Sequence, residues 1–559
     1  MKRTLALTAA LALAACADIE TGGPAKDPGV MDFPGHTATK PSIEGADFAA
    51  RTKALADDRF EGRGPGTPRG ETAADWIAAE MQRIGLKPGA NGSYFQNVPA
   101  ASITLDPTKS SFEISGTQLK FADEVAFWTP RFDKDDQAVK NSDLIFVGYG
   151  VNAPEAKWND FKGVNVKGKT IVLMINDPGF ITRDETLFKG RAMTYYGRWT
   201  YKFEEAARRG AAAVIIIHET EPAAYGWNVV RNSNTGAKYY LDRPNGNKDY
   251  AAVHSWITTD TAKALFARAG LDYDKLRLAA NKRGFRAVPM KGLKLNATLH
   301  STVSKMQTRN VVGIVPGTAK PNEYVLYTAH WDHLGVKPDV PGKDKIHNGA
   351  LDNASGTAAI LEMAETFAAA PPRRSVMFAA VTLEEQGLLG SEYLAKNPPV
   401  KLKQIVAGMN FDGVGPSSPA HDMTVVGSGA SELEDLLAAA LKKRNRTVSP
   451  DPEPEKGSFY RSDHISLAKA GVPMLYAGQG IDLVEGGKEA GLAKRQDYTK
   501  NRYHQPSDEF KGDWDLRGPV ETMTVMYEVG NEIANGTAWP TWHKDNEFYA
   551  IRKKSLKAK

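Results

Sequence analysis

Apolar residues fall into two kinds of run along this chain. Ala74, Ile77, Met81 and Ile84 recur at helical spacing, so residues 71–86 are expected to form an amphipathic helix, stopped by Gly85 and Pro88. Elsewhere the apolar positions are short and continuous: SDLIFVGYG (142–150), KTIVLMI (169–175), AAAVIII (211–217), YVLYTA (324–329), SVMFAAV (375–381), IVAGMNF (405–411) and PMLYA (473–477). Such blocks between turn residues read as strands buried on both faces. Helical patterns over 204–209, 354–369 and 520–533 separate or follow them. The pattern predicts an α/β fold with a mostly parallel or mixed sheet covered by helices on both faces. Residues 125–295 read as a strand-rich α/β insert, between an N-terminal part of the main domain (46–124) and its remainder (296–540). Residues 541–559 read as a solvated basic tail.

Composition adds little for the body of the chain and much for its start. The 559 residues are 42% hydrophobic and 25% charged, enough for two or more separate cores. The formal net charge is +5, of which Lys2 and Arg3 contribute two, and no basic stripe with interleaved aromatics supports binding of nucleic acid. Lys2 and Arg3 precede an apolar run over 5–15 that is too short to span a bilayer, so 1–15 reads as a cleaved signal. The run closes on LAAC (13–16), which resembles a bacterial lipobox and implies lipidation of Cys16. Cys16 is the chain's single cysteine, so it has no internal disulfide partner. A plain signal peptide with an incidental cysteine is the alternative. Residues 16–45, rich in Gly, Pro and Thr, then read as a lipidated tether. The lipoprotein pattern, with Ala17 after the cysteine, places the chain on the outer membrane facing the periplasm.

The chemistry lies where the strand-like runs end. YVLYTA runs into His330-Trp331-Asp332, SVMFAAV into Glu384-Glu385, and IVAGMNF into Asp412-Gly413. Ligand crevices of open α/β sheets lie beyond the C-terminal ends of the strands, so these side chains are expected at one sheet edge. Asp352, in the GALDNASG segment before a helix, is a fourth contributor. Taken singly, Asp352 or Asn353 could cap a helix, Glu384 and Glu385 could favour a helix N-terminus, and Asp412-Gly413 could be a turn. Together, several acids at one edge repel each other unless cations compensate them. Oxygen and imidazole donors without cysteine suit catalytic zinc. No Gly-x-Ser-x-Gly elbow is present, which argues against a serine hydrolase.

The blocks AHWDHLG, GALDNASG, LEEQGLLGSEYLA, FDGVG and YHQPSDEF, over about 310–535, resemble the co-catalytic zinc aminopeptidases of clan MH, which include glutamate carboxypeptidase and transferrin-receptor-like proteins. The insert, through GYG, VKGKTIVLMINDPG and RRGAAAVIIIHE, is similar to a protease-associated domain. The resemblance implies two zinc ions per chain: His330 and Asp412 on one, Glu385 and His504 on the other, and Asp352 bridging both. It further implies Glu384 as general base for a zinc-bridging hydroxide, Asp332 as the residue orienting His330, and Tyr503 as an oxyanion donor. Arg461, in RSDH, is a candidate substrate-binding residue; a helix start capped by Ser462 or Asp463 explains the same motif. The implied activity is exopeptidase cleavage at the amino end of peptides. Glutamate-carboxypeptidase-like action, glutaminyl cyclisation and a non-catalytic binding role are the alternatives on the same fold.

Overall fold

The computed structural model describes residues 34–557. Cys16, the signal segment and most of the tether lie outside the described residues. Two sheets, each with its own core, are joined by one long strand, β1 (Val288–Val315). The first half of β1 pairs antiparallel with strands Ser111–Ile114 and Asp136–Phe146 of the insert. Its second half pairs with Phe95–Leu105 and with Arg374–Val381 of the main sheet.

The main sheet continues through β2 (Lys320–His330), β3 (Arg374–Val381), β4 (Ile405–Asn410) and β5 (Met474–Gln479). β3 and β4 flank β2 in parallel, and β5 runs parallel to β4. The antiparallel β1–β3 pair makes the sheet mixed. Every residue of β3 and β4 is buried, as the uninterrupted apolar runs require. Side chains alternate across β2: Val325, Tyr327 and Ala329 join one core with α3 (Ser355–Ala369) and α5 (Arg517–Asn535), while Leu326 packs into a second core on the opposite face. Two short helices near the N-terminus, α1 (Gly45–Leu55) and α2 (Pro68–Arg83), cover the first face. α2 starts where Thr67 accepts a hydrogen bond from the Gly70 amide, with Pro68 in the first turn, and it buries Ala74, Ile77 and Met81.

In the insert, strands Asp136–Phe146, Thr170–Met174, Ala213–Ile217 and Val253–Ile257 form a parallel set. Three boundaries differ from the sequence reading. Phe112, Ile114 and Leu119 pack in the insert core, so the insert begins nearer residue 105 than 125. The end of the supposed tether is docked rather than free: Pro34 accepts a bond from the Trp76 indole, and His36 stacks on Trp76 at 4.8 Å and bonds Glu80 at 2.8 Å. The C-terminal segment is docked as well. Trp542 and Phe548 are buried, and Arg552 of α6 (Tyr549–Lys557) bonds the carbonyls of Ile405 and Val406. Exposed Lys553 and Lys554 disguised that anchor in the sequence.

Candidate metal centre

Strand register assembles the site. His330, the last residue of β2, lies beside Val381 of β3, and Thr328 lies beside Asn410 of β4. Glu384, Glu385 and Asp412 follow those strands within a few residues, so all reach the same C-terminal edge. Asp352 precedes α3 on a loop tied to the others by side chains. The Asn353 amide oxygen accepts from the Gly356 and Gly413 amides, both at 2.9 Å, and its nitrogen donates to the Phe411 carbonyl. Asp508 accepts from the Leu351 and Asp352 amides at 3.1 and 3.0 Å. Its own chain segment delivers His504, just after α4 (Gly487–Asn501). Gly349 takes φ +54°, and a Cβ there would meet the Asp352 carbonyl at 2.2 Å, so the loop requires glycine.

Asp352 stands between two donor sets. Its Oδ1 is 3.3 Å from His330 Nε2, which is also 3.3 Å from Asp412 Oδ1. Its Oδ2 is 3.2 Å from His504 Nε2, which is 3.1 Å from Glu385 Oε2. Ligands about 2.0 Å from a tetrahedral centre are roughly 3.3 Å apart along the tetrahedron's edge. Both donor sets match that spacing, and Asp352 and Asp412 line the cleft. Donor atoms of His333, Asp352 and Glu385 also lie within 4.8 Å of one another. His333 Nδ1, however, sits 2.7 Å from Glu385 Oε1, a hydrogen-bond length too short for two ligands of one ion. His333 is therefore bonded to Glu385, whereas His504 Nε2 lies at ligand-edge spacing from both Asp352 and Glu385. The residues fit two zinc ions.

The charges around the site are mutually dependent. Burial alone would lower the His330 pKa, but the charges of Glu384 and Asp412 and the bonds to Asp352 and Asp412 hold it well above its ordinary value. Burial likewise opposes protonation of His504, yet Asp352 and Glu385 push it up to about 10. Divalent cations held by these donors would balance the same carboxylates. Burial pushes the Glu384 carboxyl well up against the opposing His330 charge, with Asp412 and Glu385 adding to the rise. Glu385 is held down at about 2, because its bonds to His333 and His504 outweigh burial and the nearby Asp352 charge.

All five ligand candidates, His330, Asp352, Glu385, Asp412 and His504, are thus brought together, with Glu384 beside them. Asp332 behaves differently from expectation. Its carboxylate is 3.9 Å from His330 Nδ1 and accepts instead from the Glu384 amide, while its backbone carbonyl is 3.1 Å from Nδ1. Tyr503 stacks on His504 at 3.9 Å and lines a cleft of about 770 Å³ with Asp352, Glu384 and Asp412. Arg461 lines the same cleft, and so does Arg198 from the insert. Burial and the neighbouring Arg461 charge push Arg198 down to about 10, and neither guanidinium makes an ion pair among the described residues. Sequence reasoning passed over His333, Asp508 and Arg198. His333 and Asp508 sit inside quoted motifs, AHWDHLG and YHQPSDEF, whereas nothing local to Arg198 signals the cleft.

Residues 310–527 match the peptidase family M28. That segment is less than half of the chain. A probable zinc metalloprotease of Pyrenophora tritici-repentis (strain Pt-1C-BFP) is 37% identical over 254 residues, which are 41% of this chain and 58% of that protein. The aminopeptidase YwaD of Bacillus subtilis (strain 168) is 32% identical over 212 residues, 35% of this chain and 42% of that protein. The matches span less than two thirds of either relative. Among solved structures, the aminopeptidase from Aneurinibacillus sp. strain AM-1 aligns over 89% of this chain and 95% of its own, with 18% identity and a TM-score of 0.48.

Proposed function

We propose that this chain is a di-zinc exopeptidase that hydrolyses the N-terminal bond of peptides and is anchored through a lipid on Cys16 to the outer membrane. The observation that carries the reading is Asp352, whose two oxygens face His330 and His504 at 3.3 and 3.2 Å. The M28 match over 310–527 and the names of the partial relatives, zinc metalloprotease and aminopeptidase, support it. Zinc held by these donors supplies an acidified water and a polarised carbonyl. Glu384, whose carboxylate makes no bond of its own among the described residues, takes the proton from the attacking water and returns it to the leaving amine. Tyr503 hydrogen-bonds the developing oxyanion through its phenol. With the charges of Asp352, Glu385 and Asp412 compensated by zinc, ionised Glu384 would leave the cleft floor slightly negative, which favours a substrate ammonium.

A second reading, glutamate-carboxypeptidase-like action, draws on Arg198 and Arg461, which line the same cleft and suit a free carboxylate. The deciding experiment strips metal with o-phenanthroline, restores zinc, and offers a dipeptide amide with a free amine, an N-acetylated form of the dipeptide with a free C-terminal carboxylate, and a peptide beginning with glutamine. Zinc-dependent cleavage of the first alone is expected. Equal cleavage of the acetylated form transfers the assignment to a carboxypeptidase, pyroglutamate formation transfers it to a cyclase, and full activity without metal overturns the site.

A further inference from the structure

Between the two ligand-bearing loops lies a side chain that the chemistry above leaves unused. Arg63 is 1% exposed and comes from the EGRG turn between α1 and α2, far upstream of the segment that matches M28. Its guanidinium ends on four backbone carbonyls: Nε donates to Trp331 at 2.7 Å, Nη1 to Leu55 at 2.7 Å and to Asn348 at 2.5 Å, and Nη2 to Gly349 at 2.8 Å. Trp331 directly follows the ligand His330. Asn348 and Gly349 lead into the ligand Asp352. One planar fork thus spans the loops that carry a terminal and the bridging ligand.

The backbone around it is built for this reach. Glu61, Gly62 and Arg63 all take left-handed φ values of 47°, 65° and 49°. A Cβ at Gly62 would meet the His347 carbonyl at 2.5 Å and the Gly335 carbonyl at 2.8 Å, so the turn lies directly against both loops. The Arg63 carbonyl accepts in return from the His333 amide at 3.2 Å. Left-handed non-glycine residues cost roughly 1–2 kcal/mol each, so an ordinary turn would not retain two of them without compensating bonds. The guanidinium sits among the charges of Asp508, Asp352, Asp332 and Glu385 without an ion pair to any of them. It offers the acid cluster a fixed positive charge while spending its donors on the main chain.

We infer that Arg63 is a positioning residue of the metal centre, fixing the separation of the His330 and Asp352 loops and thereby the affinity of the site for zinc. The inference rests on the metal-centre reading, and its test reads metal binding rather than turnover. The full-length wild type, Arg63→Met, Arg63→Lys and an exposed control, Arg69→Met, are stripped of metal and titrated with Zn²⁺ against a chromophoric chelator. Melting of each stripped protein checks folding. Wild type and Arg69→Met are expected to take two equivalents with equal affinity. Arg63→Met is expected to lose about 10- to 100-fold in affinity, the usual effect of removing a group that orients ligands. If Arg63→Met does not fold, Arg63→Lys, which keeps charge and loses the fork, carries the test with the same expectation. Wild-type affinity in a folded Arg63 variant overturns the inference. So does failure of both variants to fold at saturating zinc, which assigns Arg63 to the fold alone. A wild-type chain that takes up no zinc overturns the metal-centre reading itself, an outcome distinct from the other two.

Discussion

Adjacent Glu384 and Glu385 are chemically identical, yet their surroundings differ, and exchanging each for glutamine tests the proposed division into base and ligand. Both oxygens of Glu385 are committed: Oε2 lies 3.1 Å from His504 Nε2, and Oε1 lies 2.7 Å from His333 Nδ1. Glutamine has one acceptor oxygen, so Glu385→Gln must turn its NH₂ either toward His333 or into the donor set. It also removes one negative charge from a site that balances cations. Loss of zinc affinity should exceed the roughly 10- to 100-fold typical of outer groups. Glu384 lines the cleft, and its only bond to the other acids runs from its amide to Asp332. Glu384→Gln should therefore keep the metal while removing the proton acceptor. A positioned general base is worth about 10²–10⁴ in rate, which is about 3–5 kcal/mol of barrier. The assay pairs metal analysis of each purified variant with kcat on a dipeptide amide. Metal loss in Glu384→Gln together with normal metal content in Glu385→Gln refutes the assignment and swaps the roles.

Three further outcomes are expected. Burial would raise the Glu80 carboxyl, but its bonds to Arg83, His36 and Arg51 outweigh burial and hold it well below its ordinary 4.5. A depressed carboxyl adds stability that is present above the unfolded value and lost as pH falls, so urea midpoints should drop below about pH 4.5 and Glu80→Gln should flatten that slope. Arg51→Met, which abandons buried Glu80 and Glu362, should cost about 3–5 kcal/mol by the same assay at pH 7, and a cost below 1 kcal/mol would contradict the network. At the other end of the chain, mass spectrometry of the native N-terminus should find a diacylglyceryl group on Cys16, and Cys16→Ser should release the protein from membranes; an unmodified Cys16 in native protein refutes the anchor.

The sheet was legible because two-sided burial leaves a strand no polar positions. SVMFAAV and IVAGMNF could be little else once turn residues bounded them. The clustering of acids and histidines at one sheet edge was legible because each follows such a run or sits in a motif with fixed order. What escaped the sequence reading depends on distance along the chain. Arg63 bonds the Trp331 carbonyl across 268 positions, and Arg198 lines the cleft with Arg461 from a separate core, so no local pattern marks either. His333 was hidden for another reason. Two histidines three residues apart both face the site, and only the 2.7 Å contact to Glu385 tells the orienting one from a ligand. The docked segments near residue 34 and after residue 541 were misread because composition reports exposure on average, while Pro34 and His36, and Trp542, Phe548 and Arg552, are a few anchors within polar segments.

The long strand β1 has a consequence for selectivity. A module hung on a flexible linker could swing clear of the cleft, but β1 belongs to both sheets without a break, so its hydrogen bonds resist any hinge between them. Secondary ties act in the same direction: the Met193 amide donates to the Pro454 carbonyl at 3.2 Å, and Lys469 pairs with Glu204 at 2.5 Å. The insert wall carrying Arg198, Tyr225 and Lys238 is therefore held at a fixed position opposite Glu384 and Asp412. Rigid opposition means that the wall can discriminate among substrates by charge and shape without touching the donors around Asp352. Substitutions at Arg198 should then change which peptides are cleaved while zinc content stays constant, whereas substitutions that loosen the Asp352 loop should reduce cleavage of every peptide alike.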